Sequence, residues 1–152
     1  MGVAECYPGR QAVLLLCVLW SSSVSAGDRI SWPSRSGPTL DSVAAAEDAR
    51  GLPVDWSEAP PKNLAWKISL EGFGHSVPVV GACRIWLTAA TKDGRQQFVY
   101  CLDQQTGRVL HHQLLFENAE PEPLKNEINT YASPSCALEA DAVYVHFGTY
   151  GT

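Results

Sequence analysis

The chain has 152 residues, of which 45% are hydrophobic and 18% charged, and its formal net charge is -5. That length suits one domain or part of a larger one, and the apolar share excludes wholesale disorder. Lys and Arg are scattered and never form a run, so nothing is available to neutralise a phosphate backbone and a nucleic-acid partner is not expected.

The first element is an export signal. Arg10 precedes an apolar run at residues 12–20, and Val24-Ser25-Ala26 forms an A-x-A-like site with cleavage expected after Ala26. The run is too short to cross a bilayer core, which needs about twenty residues. Residues 1–26 therefore read as a secretory signal peptide, and the mature protein is expected to be periplasmic or secreted, with no stable membrane span. Leu16 before Cys17 is not small, which argues against a lipoprotein anchor at that cysteine.

Residues 27–62 are rich in Gly, Pro, Ser and charge and read as an extended leader lying over or beside the main fold. Within it the sequence allows a short helix over residues 40–50, ended by Gly51. From residue 63 the pattern changes. Leu64, Trp66, Ile68 and Leu70 alternate with Ala65, Lys67 and Ser69, which is strand periodicity, and Gly72 and Gly74 end that strand. Residues 77–80 form a short apolar run in which Pro78 suits a strand start. Residues 85–88, 98–102 and 108–116 follow as β-rich runs. Lys92-Asp93-Gly94 separates the first two, and Asp103-Gln104-Gln105-Thr106-Gly107 the last two. Four short strands between residues 76 and 116, joined by tight turns, predict an antiparallel meander. Such a sheet cannot bury both faces alone and must stack on something.

Residues 117–131 form an acidic, proline-containing loop with solvated charges. After it the chain repeats itself. The stretch Ala132-Ser133-Pro134-Ser135-Cys136-Ala137 echoes His75-Ser76-Val77-Pro78-Val79-Val80, and Asp141-Ala142-Val143-Tyr144-Val145 echoes Cys83-Arg84-Ile85-Trp86-Leu87. The offset is 56 at the prolines and 58 at the aromatics, so a small insertion lies between them. Repeats of about 40–50 residues with four short strands each mark propeller blades. The fold class expected is all-β: antiparallel four-stranded blades of a partial β-propeller, about one and a half blades. Blade 1 spans about 63–116, and a second begins over 132–152.

The residues singled out have structural roles. Asp103 is placed to accept backbone donors in its turn, Thr106 to bond locally through its hydroxyl, and Gly107 to supply a positive φ. Ser76, Pro78, Ser133 and Pro134 complete the repeat motif. Cys83, Cys101 and Cys136 are an odd number with no disulfide framework and read as small apolar filler on strands. Trp66, Trp86, Phe98, Tyr100 and Tyr144 read as core. His111 and His112 are adjacent on one strand and point to opposite faces, so they do not share a metal; His75 and His146 read as surface or turn histidines. No nucleophile elbow, Walker loop or H-E-x-x-H occurs, and Gly72-Phe73-Gly74 reads as a turn. No catalytic, cofactor-binding or metal-binding residue is assigned.

The pattern S-x-P-V-V, then I-W-L, then C-L-D-x-x-T-G-x-V-L resembles the repeat of the pyrroloquinoline-quinone-like (quinoprotein alcohol dehydrogenase-like) β-propellers. The likeness is greatest to the exported type found in planctomycete bacteria. It runs through Trp32-Pro33, Gly51-Leu52-Pro53-Val54-Asp55-Trp56-Ser57 and residues 63–80. Strand repetition without a catalytic motif points to a binding or assembly scaffold for a protein partner or for further blades of the same propeller, and with about one and a half of the family's several blades this chain reads as an N-terminal fragment or a truncated gene product. Two departures stand out. The family's T-G-x-x-x-W places a docking tryptophan where this chain has His111. The Cys-Cys pair carried by many of the quinone enzymes does not occur either, so no cofactor is expected. Pyrroloquinoline quinone and Ca²⁺ enter only under the alternative, in which the chain is the N-terminal part of a quinone-dependent oxidoreductase.

Overall fold

The computed structural model describes residues 31–126, 128–139 and 142–152. The proposed signal peptide lies outside them. Eight strands follow in chain order: β1 (Ser57–Glu58), β2 (Pro61–Lys62), β3 (Val79–Gly81), β4 (Arg84–Ala90), β5 (Gln96–Asp103), β6 (Val109–Glu117), β7 (Ala137–Glu139) and β8 (Ala142–Tyr144). A 3₁₀ turn, Gly148–Tyr150, closes the series. The protein is all-β with antiparallel sheets, and no helix among the described residues is long and apolar enough to cross a membrane.

The central sheet has the order β3-β4-β5-β6, an antiparallel meander whose strands fall where the apolar runs predict them. Asp93 and Gly94, the latter at φ 75, make the β4–β5 turn, and Gly107, at φ 71, closes the β5–β6 turn. A left-handed backbone costs glycine little, which is why it sits at both places.

Both faces of the sheet are covered. On one, Ala89 of β4 and Phe98, Tyr100 and Leu102 of β5 form a buried cluster, against which Trp66, Ile68 and Leu70 pack. On the other, Ala90 meets Ala132 and Phe147, with Phe116, Tyr131 and Tyr150 around them. β5 is therefore buried along six successive residues and shows no in–out alternation. Burying a large apolar side chain contributes about 1.5–3 kcal/mol, so this strand anchors the fold.

Two expected elements differ from what forms. Residues 64–70 alternate in burial as the sequence predicts, yet they pair with no strand among the described residues. Their side chains hold them to the sheet, by apolar packing and by the Trp66 indole N–H donating to the Gln104 carbonyl; only at Phe73 does a ladder contact appear, to Ala90. The helix allowed at residues 40–50 does not form. Successive turns occupy residues 46–51, Leu40 and Ser42 both sit at φ 62, and Leu40 and Val43 are exposed. A stretch with no apolar face to bury has no tertiary packing to offset the cost of starting a helix.

The leader nevertheless reaches the core architecture at its start. Trp32 exchanges both backbone hydrogen bonds with Val80 of β3, at 2.7 and 2.9 Å, and the Pro33 carbonyl accepts the Leu138 N–H of β7 at 2.8 Å. Residues 32–33 thus run along the outer edge of β3 and join it to β7.

Candidate functional site

The β7–β8 hairpin reproduces β3–β4. In the first, Val79 pairs with Trp86, Val80 with Ile85 and Gly81 with Arg84. In the second, Ala137 pairs with Tyr144, Leu138 with Val143 and Glu139 with Ala142. Every position lies 58 residues after its counterpart. Pro78 stands one residue before β3 and Pro134 three before β7, so the two-residue insertion inferred from the sequence falls between proline and strand.

The seam between the two units is polar and fully partnered. The Ser76 hydroxyl donates to the Thr88 carbonyl at 3.1 Å and accepts the Thr88 N–H at 3.2 Å, standing in for a backbone partner on the edge of β4. Thr88 is buried and donates its own hydroxyl to the Pro134 carbonyl at 3.1 Å. The Val77 N–H reaches the Ser135 hydroxyl at 2.8 Å, and the His75 N–H the Ala132 carbonyl at 3.1 Å. Ser133 donates to the Thr130 carbonyl and accepts the Thr130 N–H, shaping the approach to the seam. Ser76, Ser133 and Pro134 are thus brought together at one junction, with Pro78 beside it.

Asp103, Thr106 and Gly107 form a second constellation at the far end of β5. Asp103 accepts both the Thr106 N–H at 2.8 Å and the Thr106 hydroxyl at 2.7 Å, and the Gly107 N–H donates to the Asp103 carbonyl at 2.9 Å. The hydroxyl contact, followed by the backbone donor, holds the Asp103 carboxyl below its ordinary value of 3.8. The turn carries the ring of Trp66. A Cβ built on Gly107 would fall 2.5 Å from Trp66 Cε3, and Trp66 Nε1–H donates to the Gln104 carbonyl at 3.0 Å. A tryptophan therefore docks on the T-G turn here, supplied by the segment before the sheet. His111, at the position where the resemblance expects a tryptophan, stacks against Trp86 with centroids 6.4 Å apart. Sequence reasoning gave Trp66 to the core in general; the glycine at the tip of an Asp-x-x-Thr-Gly turn is the signal for a flat ring above it.

Other groups sit apart. His112 stacks on Tyr100 at 4.2 Å, on the opposite face of β6 from His111. His75 Nδ1 lies 2.9 Å from the Ile128 carbonyl, and His146 Nδ1 lies 2.8 Å from the Thr152 hydroxyl, so the two engage different loops. No group of three or more potential metal ligands gathers among the described residues. Cys101 and Cys136 are buried. Burial pushes the Cys136 thiol up to about 11; burial likewise raises Cys101, with the Arg84 charge partly offsetting it. Cys83 is not strand filler: it is exposed in the β3–β4 turn at φ 61. Tyr144 is not core either, being 51% exposed on β8, and Trp66 and Trp86 are half-buried.

Two clefts flank the seam. One, about 420 Å³, lies between the hairpins, lined by Gly81, Arg84, Trp86, Leu138 and Val143, with Pro33 at its rim. The other, about 480 Å³, lies where the acidic loop meets the chain near Phe147. Tyr131 donates its hydroxyl to the Glu122 carbonyl at 2.9 Å, and Tyr150 accepts the Glu122 N–H at 3.0 Å, so two phenols clamp that loop. No protein-family model matches the chain, and comparison with curated proteins and with solved structures finds no match.

Proposed function

We propose that this chain is an exported repeat segment of the pyrroloquinoline-quinone-like β-propeller type, acting as a binding or assembly scaffold without catalysis of its own. The observation that carries the reading is the repeated hairpin: β3–β4 and β7–β8 share one register 58 residues apart and pack through a polar seam. Stacking of equivalent sheets face to face is how propellers bury blades that cannot be stable singly. Trp66 over Gly107 supports it, because a flat ring laid on a turn fastens one stretch of a repeat chain to the next without needing a ladder.

The polar groups at the seam satisfy one another, which suits an interface. The partner is a protein, or further blades of the same propeller, and the location is periplasmic or secreted. The test is a titration of the purified chain with pyrroloquinoline quinone and Ca²⁺, followed by quinone absorbance. No change is expected; a saturable shift that depends on Ca²⁺ would overturn the scaffold reading in favour of a quinone-dependent oxidoreductase. Secretion of the chain behind its own residues 1–26, with cleavage after Ala26 read by mass spectrometry, tests the location.

A further inference from the structure

A third cleft, of about 280 Å³, has all its walls within residues 73–131. Phe73, Leu124 and Tyr131 give it an apolar surface, and Lys92 and Asn129 stand beside them. Phe73 is 57% and Leu124 43% exposed. A lone exposed apolar side chain is ordinary, but here two of them and a tyrosine ring share one cavity. The walls are set in advance. Phe73 exchanges both backbone hydrogen bonds with Ala90, at 2.8 Å each. The Tyr131 ring lies over the β4–β5 turn, where a Cβ built on Gly94 would fall 2.5 Å from its Cε1, and its hydroxyl is tied to the Glu122 carbonyl. Groups fixed before a ligand arrives lower the ordering cost of binding.

We propose that this cleft binds a small aromatic monocarboxylate, with its ring among Phe73, Leu124 and Tyr131 and its carboxylate toward Lys92 and Asn129. The volume sets the size. Ligand sites begin at about 300 Å³, so this one takes a single ring with a short tail. Two aromatic walls favour a ring as the apolar part, since aromatic pairs gain from edge-to-face and offset contact. The polar groups set the charge. Among the described residues Lys92 makes no ion pair, and no carboxylate lines the cleft. The Thr91 hydroxyl is engaged by Asp93 at 2.6 Å, and the Thr130 hydroxyl accepts the Ala132 N–H at 3.3 Å. That leaves the Lys92 ammonium and the Asn129 amide as donors for a ligand. The chain as a whole carries a charge of -5 and repels anions. Salt screens that field beyond about 8 Å, so inside the cleft the nearby lysine decides the sign. One cation matches one carboxylate.

The probes are phenylacetate, 2-phenylethanol and 2-phenylethylamine, each titrated into the full ¹⁵N-labelled chain and followed by amide chemical shifts. Phenylacetate is expected to give saturable shifts centred on Phe73, Lys92, Asn129 and Tyr131. The alcohol should bind more weakly at the same place, and the amine more weakly still. Lys92→Met should weaken phenylacetate about threefold or more, Lys92→Arg should keep its affinity, and neither should change the binding of the alcohol. Lys92 is exposed in a turn, so both variants should fold as the parent does. No saturable shift with phenylacetate, shifts confined to other parts of the chain, an amine that binds as tightly as the acid, or an affinity indifferent to Lys92→Met would each overturn the proposal. Phenylacetate binding needs no Ca²⁺, so its success or failure is separate from that of the quinone titration and leaves the scaffold reading to its own test.

Discussion

Replacing Gly107 with alanine tests the docking of Trp66 directly. Gly107 sits at φ 71, where a side chain costs about 1–2 kcal/mol. The new Cβ would also fall 2.5 Å from Cε3 and 2.7 Å from Cδ2 of the Trp66 ring. Trp66 cannot slide aside without giving up its bond to the Gln104 carbonyl and its place against the buried cluster of Phe98, Tyr100 and Leu102. Overpacking of that kind costs about 1–3 kcal/mol, so the total is about 2–5 kcal/mol. Gly148→Ala separates the two contributions: Gly148 has a similar φ of 63 but nothing within 4 Å of its built Cβ, so it should lose only the conformational part, about 1–2 kcal/mol. Urea unfolding followed by far-ultraviolet circular dichroism gives each value. The double variant Trp66→Ala with Gly107→Ala should cost about 1–3 kcal/mol less than the sum of its singles, because the clash disappears with the ring. Equal losses for Gly107→Ala and Gly148→Ala, or strict additivity at 66 and 107, would refute the reasoning.

Ser76→Ala removes both bonds to Thr88 and leaves buried backbone groups without partners, which should cost about 1–3 kcal/mol in the same urea assay, whereas Ser36→Ala in the leader should cost far less. Among the thiols, Cys83 should react with a chromogenic disulfide within the mixing time of native protein, while Cys101 and Cys136 react only as the chain unfolds; three equally fast thiols would contradict the burial. The Cys136 thiol is held up to about 11 against an ordinary 9.0, so its contribution is complete below pH 9. The unfolded chain ionises first as pH rises, and on the order of 2–3 kcal/mol should be lost between pH 9 and 11, a loss absent in Cys136→Ala. Asp103 works in the opposite direction: its folded value lies below 3.8, so its stabilisation is present above 3.8 and disappears as pH falls through the depressed value. Asp103→Asn should flatten that acid limb of the stability profile.

The central sheet was legible because its runs of Ile, Val, Phe and Tyr are bounded by Asp-Gly and Thr-Gly turns, and these two signals act locally. The repeat was legible for the same reason, down to the insertion beside Pro134. What failed was long-range. Alternation at Leu64, Trp66, Ile68 and Leu70 reports a buried face, and it cannot tell a strand in a ladder from one laid across a sheet. Three alanines at 44–46 favour a helix, yet with Leu40 and Val43 facing water there was nothing for one to pack on. Tyr144 carries the same aromatic signal as Trp86; its exposure depends on a neighbouring strand, which no local pattern encodes.

The contacts made by Trp32 and Pro33 have a consequence for how the molecule assembles. Their partners, Val80 and Leu138, lie 48 and 105 positions further along the chain. Closing loops of such length is entropically costly, and the contacts that repay it form late in folding. During synthesis this clasp stays open until position 138 has left the ribosome, so the earliest-made part of the described chain is among the last to find its place.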